Sequence, residues 1–474
     1  MSTRPCFVLA LLFCLAGAPT APAADAPRKP NLVFILADDL GYGDLGCYGQ
    51  RKIQTPHIDR FAAEGMRFTQ FYSGAPVCAP ARCTLLTGLH TGHSWIRDNG
   101  ELPTEGQRPI PASTVTLAEV LKSAGYRTGV VGKWGLGGPG TEGEPNRQGF
   151  DHWFGYLCQR EAHRYYPQHL WRNGEKVALE KNLNGGRGQY SHDLVAEEAL
   201  RFIRDSAARA KQQTPFFLYV AVTIPHVDLD APDDSMRPYL GQWEEKPFPG
   251  DHYRAEAHPL AAYAGMVSRM DRDVGRIMAT LKELGLDEDT LVFFSSDNGP
   301  IDVGGSDPKF FGSAGGSRGL KGSLFEGGIR APLVARWPGH VAVGATSDFA
   351  GAFWDVLPTL ADLGGAPIPK DLHLDGLSFA PTLLGRGGQK AHDYLYWESP
   401  ARQGAQAVRL GDWKGIRLGV KRDAAAKVQL FNLKDDPAES RDVAADHPDA
   451  VARVGQIMRE GRTESTIFPL LSKK

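Results

Sequence analysis

Three stretches of the chain are apolar without interruption: Asn31 to Ala37 (NLVFILA), Phe216 to Val222 (FFLYVAV) and Leu291 to Phe294 (LVFF). Short runs rich in β-branched and aromatic residues predict strands buried on both faces, as in a sheet covered by helices. The first run ends in Asp38-Asp39 and the third leads into Ser295-Ser296-Asp297-Asn298, so polar groups gather at the carboxyl ends of buried strands. α/β sheets place their ligand sites there. Between the strands, Thr116 to Ala124 and Ala261 to Leu284 repeat apolar residues at helical spacing and stop at Gly125 and Gly285. The Gly- and Pro-rich segments Leu136 to Arg147 and Gly299 to Gly328 predict long loops beside the sheet, the usual carriers of function.

From about residue 376 the pattern changes to short strand candidates: Tyr394 to Glu398, Ala407 to Leu410, Trp413 to Leu418 and Val428 to Leu433. A helical pattern follows over Pro448 to Glu460. A large α/β unit is therefore expected over 24–375, and a smaller α+β unit with an antiparallel sheet and a terminal helix over 376–474. The N-terminus differs from both. One Arg in Met1 to Pro5, an apolar stretch Cys6 to Gly17 and the small-x-small sequence Ala21-Pro22-Ala23 predict a removed signal over residues 1–23. Phe13 before Cys14 is too bulky for the usual lipobox, and the expected destination is secreted or periplasmic. No later stretch is long and apolar enough to span a membrane.

Composition narrows the partners. A chain of 474 residues with a formal net charge of -2 lacks the basic face needed to neutralise a nucleic-acid backbone. Without the signal, the cysteines are Cys47, Cys78, Cys83 and Cys158, too few to define a fold of this length. For an exported chain an even set of four allows two bridges, which is the structural reading of Cys78 and Cys83.

The chemistry concentrates in a few places. Asp38-Asp39 and Asp297-Asn298 offer three carboxylates and an amide oxygen on one side of a sheet, a hard donor set suited to Ca²⁺ or Mg²⁺ rather than Zn²⁺. Cys78-Ala79-Pro80-Ala81-Arg82-Cys83 opens a helix, because Pro80 is tolerated in a first turn and an apolar sequence follows. Cys78 then sits at a helix N-terminus, where free N-H groups favour an anion, with Arg82 one turn on along the same face.

Cys78-x-Pro80-x-Arg82 resembles the motif of the type I sulfatases of the alkaline phosphatase superfamily, in which the cysteine is oxidised to formylglycine. The resemblance covers nearly the whole mature chain. Asp38 to Asp44, Gly125 to Thr128 with Gly132-Lys133-Trp134, Thr223 to His226, Ser296 to Gly299, and Lys321-Gly322 with Glu326 to Pro332 resemble further motifs in the family's order. The resemblance implies an alkaline-phosphatase-like sandwich with a central mixed sheet flanked by helices, and a sulfatase catalytic domain over 24–375. It implies Ca²⁺, or Mg²⁺, on Asp38, Asp39, Asp297, Asn298 and residue 78, and a catalytic set of Cys78, Arg82, Lys133, His226 and Lys321. Lys133 and Lys321 would bind sulfate as point charges and His226 would protonate the leaving oxygen. The implied partners are a sulfated carbohydrate or aryl sulfate and a formylglycine-generating maturation enzyme.

One departure stands out: where the family pattern has a histidine contacting the formylglycine, this chain has Gly135. Either another group fills that gap, with His93 or His163 as candidates, or the nucleophile is less well oriented and turnover is lower. Residues 158–173 (CQREAHRYYPQHLWRN) predict a loop whose aromatics either stack on sugar rings or pack on the core. Two further functions remain open on the sequence: a phosphoester or phosphonate hydrolase of the same superfamily, and a non-catalytic sulfated-glycan binder.

Overall fold

The computed structural model describes Ser2 and residues 28–103 and 105–471. The expected signal over 1–23 therefore lies outside the described residues, apart from Ser2. Ten strands form the main sheet: β1 (Asn31–Ala37), β2 (Met66–Phe68), β3 (Arg127–Lys133), β4 (His152–Tyr156), β5 (His169–Arg172), β6 (Glu175–Ala178), β7 (Phe216–Ala221), β8 (Thr290–Ser296), β9 (Leu333–Arg336) and β10 (Ala345–Ser347). Their order across the sheet is β10-β2-β9-β8-β1-β7-β3-β4-β5-β6. The five central strands, β8 to β4, run parallel; antiparallel pairs follow on either side, β8 with β9 and β4 with β5. The sheet is mixed, as expected.

The three apolar runs form three adjacent central strands, buried along their length. Successive residues of β1 serve opposite faces. Val33, Ile35 and Ala37 join a core with helices α1 (Pro56–Ala63), α4 (Ser191–Lys211) and α5 (Pro259–Glu283). Leu32, Phe34 and Leu36 join a second core with α2 (Cys78–Thr87), α3 (Leu117–Ser123) and α6 (Val356–Leu363). Burial on both sides is why these strands read as continuous apolar runs rather than alternating ones.

The second sheet has four antiparallel strands, β11 (Leu395–Ser399), β12 (Ala405–Leu410), β13 (Trp413–Leu418) and β14 (Val428–Asn432). Helix α7 (Pro448–Glu460) contributes Val454, Ile457 and Met458 to one face of it. The other face packs Trp397, Ala407, Ile416 and Phe431 against Tyr72, Leu324, Phe325 and Trp354 from the main body. The loop 136–147 holds one short 3-10 turn at Pro145–Arg147, and the loop 299–328 holds two single-turn helices, Pro308–Phe311 and Glu326–Ile329.

Candidate active site

Because β8, β1, β7 and β3 run parallel, the residues leaving their carboxyl ends emerge along one edge of the sheet. These are Asp297-Asn298, Asp38-Asp39, the segment Val222 to His226, and Lys133. Lys133 reaches this edge past Gly132, which has φ +102° and where a Cβ would stand 1.9 Å from Ala221 O, so no side chain fits.

The three carboxylates and Asn298 are fully buried. Asp297 Oδ1 accepts the Asp39 N-H at 3.1 Å and its Oδ2 accepts from Arg82 Nη2 at 2.8 Å. Asn298 Nδ2 donates to Asp39 Oδ1 at 2.7 Å and to Gly299 O at 2.9 Å. Asn298 Oδ1 is left buried with no hydrogen-bond partner. An orphaned carbonyl oxygen beside three carboxylates is what a hard cation satisfies, and the all-oxygen set fits Ca²⁺ or Mg²⁺.

Three cations face those three anions. Lys133 Nζ donates to Asp38 Oδ2 at 2.6 Å, Lys321 Nζ lies 2.8 Å from Asp39 Oδ1, and Arg82 pairs with Asp297 and lies 3.6 Å from Asp38. Burial pushes Asp38 up, but Lys133, His226, Arg82 and Lys321 together hold it well below the usual carboxylate range. Asp297 goes the other way, to about 6, through burial and the charge of Asp38. Asp39 is also raised by burial, with Lys321 opposing and Asp38 adding. Two of the three carboxylates are thus strained as anions, a strain that an added cation removes.

Cys78 is the first residue of α2, a helix in which every residue is buried and which ends at Gly88 with φ +69°. Its thiol donates to Asp38 Oδ1 at 3.4 Å. Burial and Asp38 push the thiol up to about 12, with Lys133 and Lys321 opposing. All four cysteines outside the signal are free, so neither bridge of the structural reading forms. Arg82 acts on the surroundings of Cys78: its other nitrogen donates to Lys133 O at 2.6 Å, so one guanidinium ties α2, β3 and β8 together. Lys321 is held by backbone bonds of its loop, Lys321 N to Pro300 O at 2.9 Å and Gly322 N to Pro76 O at 2.8 Å.

His226 Nε2 lies 3.4 Å from Asp39 Oδ2, and its Nδ1 bonds Val227 O. Burial and then Lys321 hold its imidazole well below the ordinary range, with Asp38 opposing. His163, one of the two candidates for the Gly135 gap, packs its ring 4.5 Å from that of His226. His93, the other, bonds Asp375 instead and joins a separate cluster. Gly135 has φ +80°, and a Cβ there would stand 2.1 Å from Gln159 Nε2. The backbone is left-handed here, and the Gln159 carboxamide occupies the room a side chain would need; no local sequence signal points to it.

The segment 158–173 is only partly the expected loop. His169–Arg172 is strand β5, and Tyr165 is buried with its hydroxyl donating to Thr223 O at 2.8 Å and His226 O at 2.6 Å. That tyrosine is a pillar under His226, and Trp171 Nε1 donates to Glu105 Oε2 at 2.9 Å. Ser73, whose hydroxyl bonds Asp297 O, is a further support that the sequence did not reveal.

The family model described as Sulfatase matches residues 30–366, and the one described as N-sulphoglucosamine sulphohydrolase, C-terminal, matches 320–462. The chain is 35% identical to N-acetylgalactosamine-6-sulfatase of Rattus norvegicus over 480 residues, covering 92% of this chain and 86% of the relative. It is 36% identical to arylsulfatase A of Homo sapiens over 417 residues, 82% and 74% of the two chains. Among solved structures, Ps i-CgsB in complex with k-i-k-neocarrahexaose superposes with a TM-score of 0.76 at 29% identity, covering 92% of this chain and 93% of that one.

Proposed function

The chain belongs to the sulfatase family, with its alkaline-phosphatase-like fold, and is a hydrolase of sulfate esters; from that premise we propose that it works through formylglycine at position 78 and a Ca²⁺ ion. The observation that carries this reading is the unpartnered Asn298 Oδ1 among Asp38, Asp39 and Asp297, beside Cys78, whose thiol donates to Asp38 Oδ1. Asp38, Asp39, Asp297, Asn298 and residue 78 would hold the ion, which would screen the sulfate oxygens and ease ionisation of the nucleophile. Formylglycine at 78, made by a maturation enzyme, would supply as its hydrate one hydroxyl that displaces the leaving alcohol from sulfur, and a second whose deprotonation would release sulfate and restore the aldehyde.

The chain's own groups do the rest. Lys133 and Lys321 bind the sulfate as point charges, and both are held protonated: burial works to lower them, but Asp38 and Asp39 respectively prevail. Arg82 fixes Asp297 and the backbone of Lys133 relative to the α2 N-terminus. His226 protonates the leaving oxygen through Nε2, since Nδ1 is engaged with Val227 O. Its neutral state in the free site is set partly by Lys321 and Lys133, whose charges a bound sulfate ester opposes. A bound sulfate ester thus favours the acid form.

Sulfated carbohydrates, with aryl sulfates beside them, are the proposed substrates, in line with the names of the relatives. A phosphoester or phosphonate hydrolase and a non-catalytic binder are not favoured by these relatives. No helix among the described residues is long and apolar enough to cross a membrane; a secreted or periplasmic location rests on the signal read in residues 1–23. The test combines mass spectrometry of residue 78 with sulfate release from sulfated sugars, aryl sulfates and phosphate esters. An aldehyde or its hydrate at 78, sulfate release that a calcium chelator lowers and Ca²⁺ restores, and an inactive but folded Cys78→Ala are expected. Full activity with intact cysteine, or restoration by Zn²⁺ but by neither Ca²⁺ nor Mg²⁺, would overturn the reading.

A further inference from the structure

A second cluster of metal-ligating side chains lies away from the sulfate site. Past Gly88 the chain turns through His90 and His93, and Asp375 N donates to Gly88 O at 2.9 Å, which brings the segment 373–375 alongside. Three imidazole nitrogens converge on one carboxylate oxygen. Asp375 Oδ1 lies 2.9 Å from His93 Nδ1, 3.1 Å from His373 Nε2 and 3.5 Å from His90 Nε2. Ligand atoms bound tetrahedrally at about 2.0–2.1 Å from an ion stand about 3.3 Å apart. The separations of His93 and His373 from Asp375, 2.9 and 3.1 Å, come close to that edge length.

Hydrogen bonds sort these side chains into two roles. His90 Nδ1 accepts the Gly92 N-H at 3.1 Å, so its proton is on Nε2, the nitrogen that faces Asp375. His90 therefore has no lone pair to offer there, and its ring stands 3.5 Å from the carboxylate. Its backbone N-H donates to Asp375 Oδ2 at 3.0 Å. A carboxylate fixed from behind by such a donor is typical of a metal ligand. His93 Nδ1 and His373 Nε2 face only Asp375 in their hydrogen bonds, so each can turn a lone pair toward an ion. Both rings also line a cavity of about 780 Å³ with Trp95 and Arg97. The His373 side chain is 69% exposed, which gives an ion a path in.

We infer that His93, His373 and Asp375 form a second metal site, for Zn²⁺ or a similar transition-metal ion, with His90 orienting Asp375 and the remaining coordination positions open to the cavity. Two imidazoles and one carboxylate select against Ca²⁺, so this site and the all-oxygen set at Asp38 take different ions.

The test uses the full chain, stripped of metal and reloaded with saturating Ca²⁺. Zn²⁺ is titrated by calorimetry and Co²⁺ by visible absorption, with melting temperature followed in parallel. A single Zn²⁺ per chain, a Co²⁺ spectrum of a site with fewer than six ligands, and a Zn²⁺-dependent rise in melting temperature are expected. His93→Ala and His373→Ala should each weaken Zn²⁺ by roughly tenfold or more and abolish the Co²⁺ bands. His373→Ala, on the surface, should keep its Ca²⁺-dependent sulfatase activity, which separates this inference from the active-site reading. No Zn²⁺ uptake by the unaltered protein, or uptake and Co²⁺ bands unchanged in both variants, would overturn it and leave the cluster as a hydrogen-bonded pin between two loops.

Discussion

At His226 the proposed role depends on the leaving group, because an activated phenol departs readily as an anion whereas a sugar hydroxyl needs a proton in the transition state. Positioned proton transfer contributes about a hundred- to ten-thousand-fold. His226→Ala should lose roughly that factor in kcat on a sugar sulfate and much less on an activated aryl sulfate. Lys133→Ala should lose similarly on both, since sulfate charge must be stabilised whatever leaves. Equal losses for His226→Ala would make it a sulfate-binding residue. The pH profiles carry the same logic: an acid works below its pKa and fails as pH rises through it. With the free imidazole held low and substrate charge raising it, the descending limb of kcat should lie at higher pH than that of kcat/KM. Asn298→Ala removes the one amide oxygen of the proposed cation set and no charge. It should weaken Ca²⁺ by roughly tenfold or more, read as a smaller Ca²⁺-induced rise in melting temperature. An unchanged rise would remove Asn298 from the ligand set.

Among the elements, α1 shows how a helix that begins plainly in sequence can be finished from afar. Pro56 at its first turn is a local start signal, but the Thr55 side chain does not cap it. Instead Asp271, on α5, accepts the His57 N-H at 3.1 Å and the Ile58 N-H at 2.7 Å. Asp271→Ala should cost about 1–2 kcal/mol, the range of a lost N-terminal cap, and Asp271→Asn less. Burial raises the Asp271 carboxyl from 3.8 to about 7. A raised folded pKa means the native state holds the proton more tightly, so this contribution is complete below 3.8 and is lost as pH rises toward about 7. The melting temperature relative to Asp271→Asn should fall across that window; a flat difference would show that the carboxyl is not perturbed.

Over the whole molecule, the four-stranded sheet is fastened to the main body through buried charge as well as through shared core. Lys414 on β13 donates to Glu326 Oε1 at 2.7 Å and lies 3.4 Å from Glu439, and Tyr72 OH donates to Glu326 Oε2 at 2.8 Å. Glu326 lies five residues after Lys321, so this cluster also steadies the proposed sulfate-binding side. Lys414→Met leaves two buried carboxylates without their cation and should cost about 3–5 kcal/mol in denaturant unfolding. The boundary proposed near residue 375 then separates units that need each other. A chain ending at 375 should be insoluble or molten, with Trp354 and Phe325 uncovered; a well-folded fragment would show that the first unit stands alone.

How much of this was legible depends on the range of the interaction. The sequence by itself determined the apolar runs of β1, β7 and β8, the helix beginning at Cys78, the small sheet with its terminal helix, and the oxygen donors at two strand ends. Those follow from periodicity and residue chemistry, which are local. The choice between His163 and His93 did not, since both are single histidines in loops until tertiary packing sets one against His226 and the other against Asp375. The Gly135 substitution likewise read as a missing side chain, whereas the fold gives it a left-handed backbone and fills its room with Gln159. Tyr165, Ser73 and Asp271 support residues far along the chain, and only the crossing of strands and helices decides such partners.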